Sequence, residues 1–200
     1  MKTLRTKLLV AALALATLAT PALAQFQPTP SVKSFRQTYQ ASIAGLVTAA
    51  SATDFFTIQG SATKVVTVTS LECYGTATTA ATADVLLIKR SAANTTGTST
   101  SPAGVPLDSN SAAATAVVKA YTANPGALGA AVGTIGSAKL GLPLPATGAA
   151  IQRLQFLLGE GPFVQPVVLR GVAQTLSLNG NAATLGTGAQ VNCSVTWTES

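Results

Sequence analysis

AQVNCSVTWTES, Ala189 to Ser200, carries the cleanest alternation in the chain: Val191, Cys193, Val195 and Trp197 fall on one side of an extended backbone, Asn192, Ser194, Thr196 and Thr198 on the other. Side chains of a strand point alternately to opposite faces, so this segment has one face in a core and one in water, the mark of an antiparallel sheet rather than a doubly covered parallel one.

Further back the texture is the same, with apolar runs bounded by turn residues. QPVVLRGVAQTLSLNGNA (Gln165 to Ala182) reads as one strand bent or bulged at Arg170-Gly171, and IQRLQFLLGEG as a strand or short helix with Leu154, Phe156 and Leu158 on one side if extended. Leu140 to Gly148 reads as loop, Gly129 to Gly136 as a turn and short strand, and Ala114 to Tyr121 as a strand stopped at Asn124-Pro125-Gly126. ADVLLIKR is a strand ending at Arg90. DFFTIQGSATKVVTVTSLECYGT predicts a hairpin, Asp54–Gln59 and Lys64–Tyr74 joined through Gly60 and Ser61. About eight short strands, no amphipathic helix and no internal repeat predict an all-β, single-domain antiparallel β-sandwich, jelly-roll-like.

The opening segment MKTLRTKLLVAALALATLATPALAQ sets Lys2, Arg5 and Lys7 before an apolar run and an Ala22-Leu23-Ala24 site. It reads as a secretory signal peptide, residues 1–24, cleaved before Gln25. An extended arm follows over 25–40, then the sandwich over 41–200. The chain is expected to be secreted or periplasmic, with no membrane span after cleavage. Loss of the three signal cations takes the net charge from +6 to +3. The remaining cations are scattered, with no aromatic interleaving, so no nucleic-acid groove is expected. Only 9% of residues are charged, but 48% are hydrophobic, which excludes a disordered chain.

The sequence contains no histidine. That removes the usual general base, the Ser-His and Cys-His nucleophile pairs and the commonest transition-metal ligand. No phosphate-binding or dinucleotide glycine motif is present, and the six acids are isolated in sequence, without a glycosidase-like pair. No cofactor is expected. Asp108-Ser109-Asn110 has the D-x-N start of a calcium loop without its later glycine and glutamate, and reads as a turn. Asn94-Thr95-Thr96 and Asn192-Cys193-Ser194 match glycosylation acceptors. Trp197, Phe55, Phe56, Phe156 and Phe163 alternate with polar neighbours and read as core, so glycan binding finds no support in the aromatic pattern.

Two readings of Cys73 and Cys193 stand open. In an exported protein they form a disulfide, or they are two buried thiols acting as small apolar groups. Between Ser91 and Ser111 the chain is a run of hydroxyls, small residues, Pro and Gly. It reads as a long ordered loop spanning the end of the sandwich, and loops of that length are often functional or disordered. This one is the candidate contact surface, with Lys89 and Arg90 at its base and Asn94, Thr95, Thr96, Asp108 and Asn110 along it.

ATDFFTIQGSATK, KRSAANTTGTSTSP, VPLDSNSAAATAVVKAYTANPG and the terminal VTWTE carry a likeness over about Thr38 to Glu199. On these segments the chain resembles an uncharacterised group of β-rich, virion-type structural proteins of tailed bacteriophages and prophages. The resemblance implies a structural or host-facing module, oligomeric, with no catalytic residues to carry over. The secretory signal departs from that group and points to an exported bacterial or domesticated copy. The expected function is a non-enzymatic structural or adhesive module acting through protein-protein contacts, with a protein partner or with itself as a homo-oligomer, a trimer favoured. A phage virion component, such as a decoration or fibre-associated protein, is the alternative, and a secreted hydrolase of unrecognised type the third reading.

Overall fold

The computed structural model describes residues 36–145, 148, 150–160 and 165–200. The signal segment, most of the arm and Phe163 lie outside them. Two antiparallel sheets pack face to face: β10-β3-β12-β1-β6, with β9 also on β3, and β5-β7-β2-β11-β4-β8. The long strands are β1 (Gln37–Leu46), β2 (Ala52–Gln59), β3 (Val65–Thr76), β4 (Ala81–Arg90), β8 (Ala131–Leu142), β11 (Thr175–Ala183) and β12 (Gln190–Glu199). The short ones are β5 (Ser99–Thr100), β6 (Val105–Pro106), β7 (Val117–Tyr121), β9 (Leu154–Leu157) and β10 (Val167–Arg170). No α-helix occurs among the described residues. The β-sandwich expected from the alternation is the fold.

The alternation in β12 works as read. Val191, Cys193, Val195 and Trp197 are buried, and the residues between them are half-exposed. Val66, Val68, Leu71 and Cys73 of β3 line the same wall, while Phe56, Ile58, Leu87, Leu176 and Leu178 of the second sheet belong to the same core cluster. Burying such side chains supplies about 1.5–3 kcal/mol each before chain entropy is counted.

Four local expectations need correction. The predicted Asp54–Tyr74 hairpin does not form, because β2 and β3 belong to different sheets. Both strands are strongly apolar, and placing them across the core lets each bury that surface against the other layer. Likewise Gln165 to Ala182 is not one bent strand: β10 lies in the first sheet and β11 in the second, parted at Gly171, whose φ is +71°. These two crossings touch. Gly60 N–H donates to the Gln174 carbonyl at 2.9 Å, and a Cβ on Gly60 would stand 2.5 Å from the Gly171 carbonyl oxygen, so only glycine fits.

Leu140–Leu142, expected in a loop, end β8 instead, and Leu140 and Leu142 are buried. The strand stops before Pro143, which has no N–H with which to extend the pairing. At the other end β1 begins at Gln37, inside the expected arm, and Tyr39 stacks on Trp197 with ring centroids 5.8 Å apart.

Cys73 and Cys193 sit directly opposite each other on β3 and β12 and form a disulfide. Their Cα atoms are 4.2 Å apart, the close spacing of a non-hydrogen-bonded cross-strand pair.

Candidate functional site

Segment 91–116 is a strap rather than a free loop. β5 adds to the edge of the second sheet through β7, and β6 adds to the edge of the first through β1. The strap therefore ties the two layers together along one side. Gly104 lies against the Trp197 ring: a Cβ there would stand 2.8 Å from it.

The strap is pinned at both ends by a buried carboxylate. At its start Arg90 donates through Nε and Nη2 to the two oxygens of Asp54, each at 2.7 Å. Asn94 Nδ2 and Asn179 Nδ2 complete the Asp54 shell at 2.8 and 2.6 Å. Gly129 closes the circuit, its carbonyl accepting from Arg90 Nη1 and its N–H donating to Asn94 Oδ1. Burial opposes the Asp54 charge, but the Arg90, Asn179 and Asn94 donors outweigh it and hold the carboxyl below its ordinary range.

At the far end Glu199 accepts from Thr115 N–H, Ala116 N–H, Thr115 Oγ1 and Trp197 Nε1, and Lys64 Nζ stands 3.7 Å away. Burial again opposes the charge, and these donors again win, lowering the Glu199 carboxyl.

The residues expected to form a contact surface accordingly divide. Arg90 and Asn94 are buried and committed to Asp54, so they are structural and leave that surface. Burial also removes Asn94 as a glycosylation acceptor. Lys89 is half-buried. Thr95 and Thr96 are exposed but tied down, Thr95 N–H to the Ala127 carbonyl and Thr96 Oγ1 to Gly126 N–H. Asp108 Oδ1 accepts from Asn110 N–H at 3.0 Å, an Asx turn as expected, and both residues are exposed. Among the described residues no group of His, Cys, Asp or Glu is arranged to hold a metal ion.

Sequence reasoning missed a depression on the outer face of the first sheet, about 240 Å³ in volume, walled by Gln40, Ser42, Glu72, Tyr74, Asn192 and Ser194. Its cause is local. Between Ile43 and Leu46 the pairing of β1 with β12 slips by one residue, a bulge whose extra length is taken up at Gly45, with φ of +65°. Gly45 N–H donates to Asn192 Oδ1 at 2.7 Å and so fixes which way that amide faces. Ser194 Oγ donates to Glu72 Oε1, and Arg153 pairs with Glu72 Oε2. Trp197, Phe55 and Phe56 are buried in the core and Phe156 packs partly buried against it, whereas Tyr74 is 38% exposed.

Exposed apolar side chains include Val105 and Leu107 on the strap and Val132 and Ile135 on β8, with Val47, Ile151, Leu157 and Val172 on other loops and strand ends. No protein family, curated protein or solved structure matches the chain.

Proposed function

We propose that this protein is a non-enzymatic, exported structural or adhesive module that works by protein-protein contact, with a second copy of itself as a partner. The observation that carries the reading is the outer edge of β8. It ends its sheet with no strand beyond it among the described residues, it carries no charge from Ala131 to Ala138, and it displays Val132 at 66% and Ile135 at 48% exposure. Sheet edges in monomeric proteins are usually guarded by charge, proline or cover, because their free N–H and C=O groups pair with other strands. An unguarded apolar edge suits assembly.

The carboxylates favour the same reading over hydrolysis. Asp54 and Glu199 are saturated with donors, while Glu72 and Asp84 are paired with Arg153 and Lys139. A chain without histidine has few other groups to act as general base. Export rests on the signal-like segment 1–24. The resemblance over Thr38 to Glu199 favours a second reading, a virion component, which predicts recovery of the protein in purified particles.

Size-exclusion chromatography with light scattering on the chain from Gln25 onward tests the proposal. A homo-oligomer is expected, reduced to monomer by Val132→Asp with Ile135→Asp. A wild-type chain that stays monomeric at every concentration overturns the self-contact reading.

A further inference from the structure

We propose that the depression beside the Gly45 bulge binds an uncharged saccharide, one pyranose ring at a time. Four features of its geometry lead there. Its volume of about 240 Å³ falls under the roughly 300–1,000 Å³ of pockets that enclose drug-sized ligands, which limits an occupant to something small. Its chemistry is that of polyol recognition: the hydroxyls of Ser42 and Tyr74, the amides of Gln40 and Asn192, and one carboxylate. Asn192 accepts from Gly45 N–H through Oδ1, which leaves its Nδ2 as a donor.

The cleft is also electrically balanced. Glu72 is the one charged residue in its wall, and Arg153 pairs with it. Neither an anion nor a cation gains from such a site, whereas a neutral ligand bearing hydroxyls meets donors and acceptors together. Finally, Tyr74 stands directly across from Asn192 in the pairing of β3 with β12, with its ring partly in solvent. An exposed aromatic beside amides offers an apolar surface for the C–H face of a sugar and polar groups for its rim. The cleft lies on the outer face of the sheet where β3, β12 and β1 run side by side.

This site is independent of the β8 edge, and the two fail separately. Saturation-transfer NMR on the chain from Gln25 onward would use methyl mannoside, methyl galactoside and methyl glucoside as neutral probes and N-acetylneuraminic acid as a charged one. Transfer to at least one neutral glycoside is expected. Tyr74→Ala, a partly exposed position, should weaken it by roughly tenfold, the loss of one stacking contact, with the melting temperature and oligomeric state unchanged. No transfer to any neutral glycoside, transfer to the acid alone, or undiminished transfer in Tyr74→Ala overturns the proposal.

Discussion

Asp54 and Arg90 meet fork to fork inside the protein, two parallel hydrogen bonds of 2.7 Å joining the start of β2 to the end of β4 across the intervening β11. Bidentate pairs of this kind are strong when every remaining donor and acceptor is satisfied, and here Asn94, Asn179 and Gly129 satisfy them.

Removing one partner leaves the other as a buried, uncompensated charge. Asp54→Ala and Arg90→Ala should therefore each cost about 3–5 kcal/mol, read as a shift in the urea midpoint. Asn94→Ala should cost about 1–3 kcal/mol, since it strands a neutral donor on Gly129 and one Asp54 lone pair. Equal small losses for all three would show that the cluster is not a closed network.

Stability should fall in acid, and the sign follows from both carboxylates being depressed. Asp54 and Glu199 ionise more readily folded than at their ordinary values of 3.8 and 4.5. Their contribution is fully present above those values and is lost as the pH drops through the lower folded ones. The melting temperature should hold steady from neutrality to about pH 5 and decline below it. Glu199→Gln should flatten part of that decline. A profile that rises on acidification contradicts the assignment.

Much of this architecture was legible in the residues, and the failures share one cause. Alternation is a local signal, so β12, β3 and β4 could be placed from their own side chains. Which sheet a strand joins is decided by partners far away: β2 pairs with β11, over a hundred residues on. The two crossings depend on Gly60 meeting Gly171, a contact invisible in either segment alone. Glu199 could have been flagged, since it continues the inward parity of Val191, Cys193, Val195 and Trp197 and puts a charge on a core face. Its partners could not, because Thr115 and Ala116 arrive from the strap. The Gly45 bulge has still less signature, being one glycine in the run Ala44-Gly45-Leu46.

The Cys73–Cys193 disulfide closes a loop with a sequence separation of 120. Restricting the unfolded chain over such a length stabilises by about 2–5 kcal/mol. Paired Cys73→Ala and Cys193→Ala substitutions should lower stability by that amount and leave the far-ultraviolet circular dichroism of a β protein intact at low temperature. Full stability of the double variant would mean that the cross-strand pairing alone fixes the register of β3 on β12.

Trp197, the single tryptophan, offers a direct readout of the strap. Its ring is fully buried, stacked on Tyr39, with Nε1–H donating to Glu199. Gly104 lies close enough that an added methyl would stand 2.7 Å from Ala114 Cβ and 2.8 Å from the indole. Gly104→Ala must push the strap outward, because the indole is held on its other side and a packed core gives little. A cost of about 1–3 kcal/mol is expected, together with a red-shifted, more quenchable tryptophan emission as water reaches the ring. Gly133→Ala is the control, since nothing lies within 4 Å of the added methyl. It should leave the emission unchanged. If Gly104→Ala left both stability and emission unaltered, the strap would be resting on the sandwich instead of sealing it, and the two carboxylate pins would be ornaments of a loop that the core does not need.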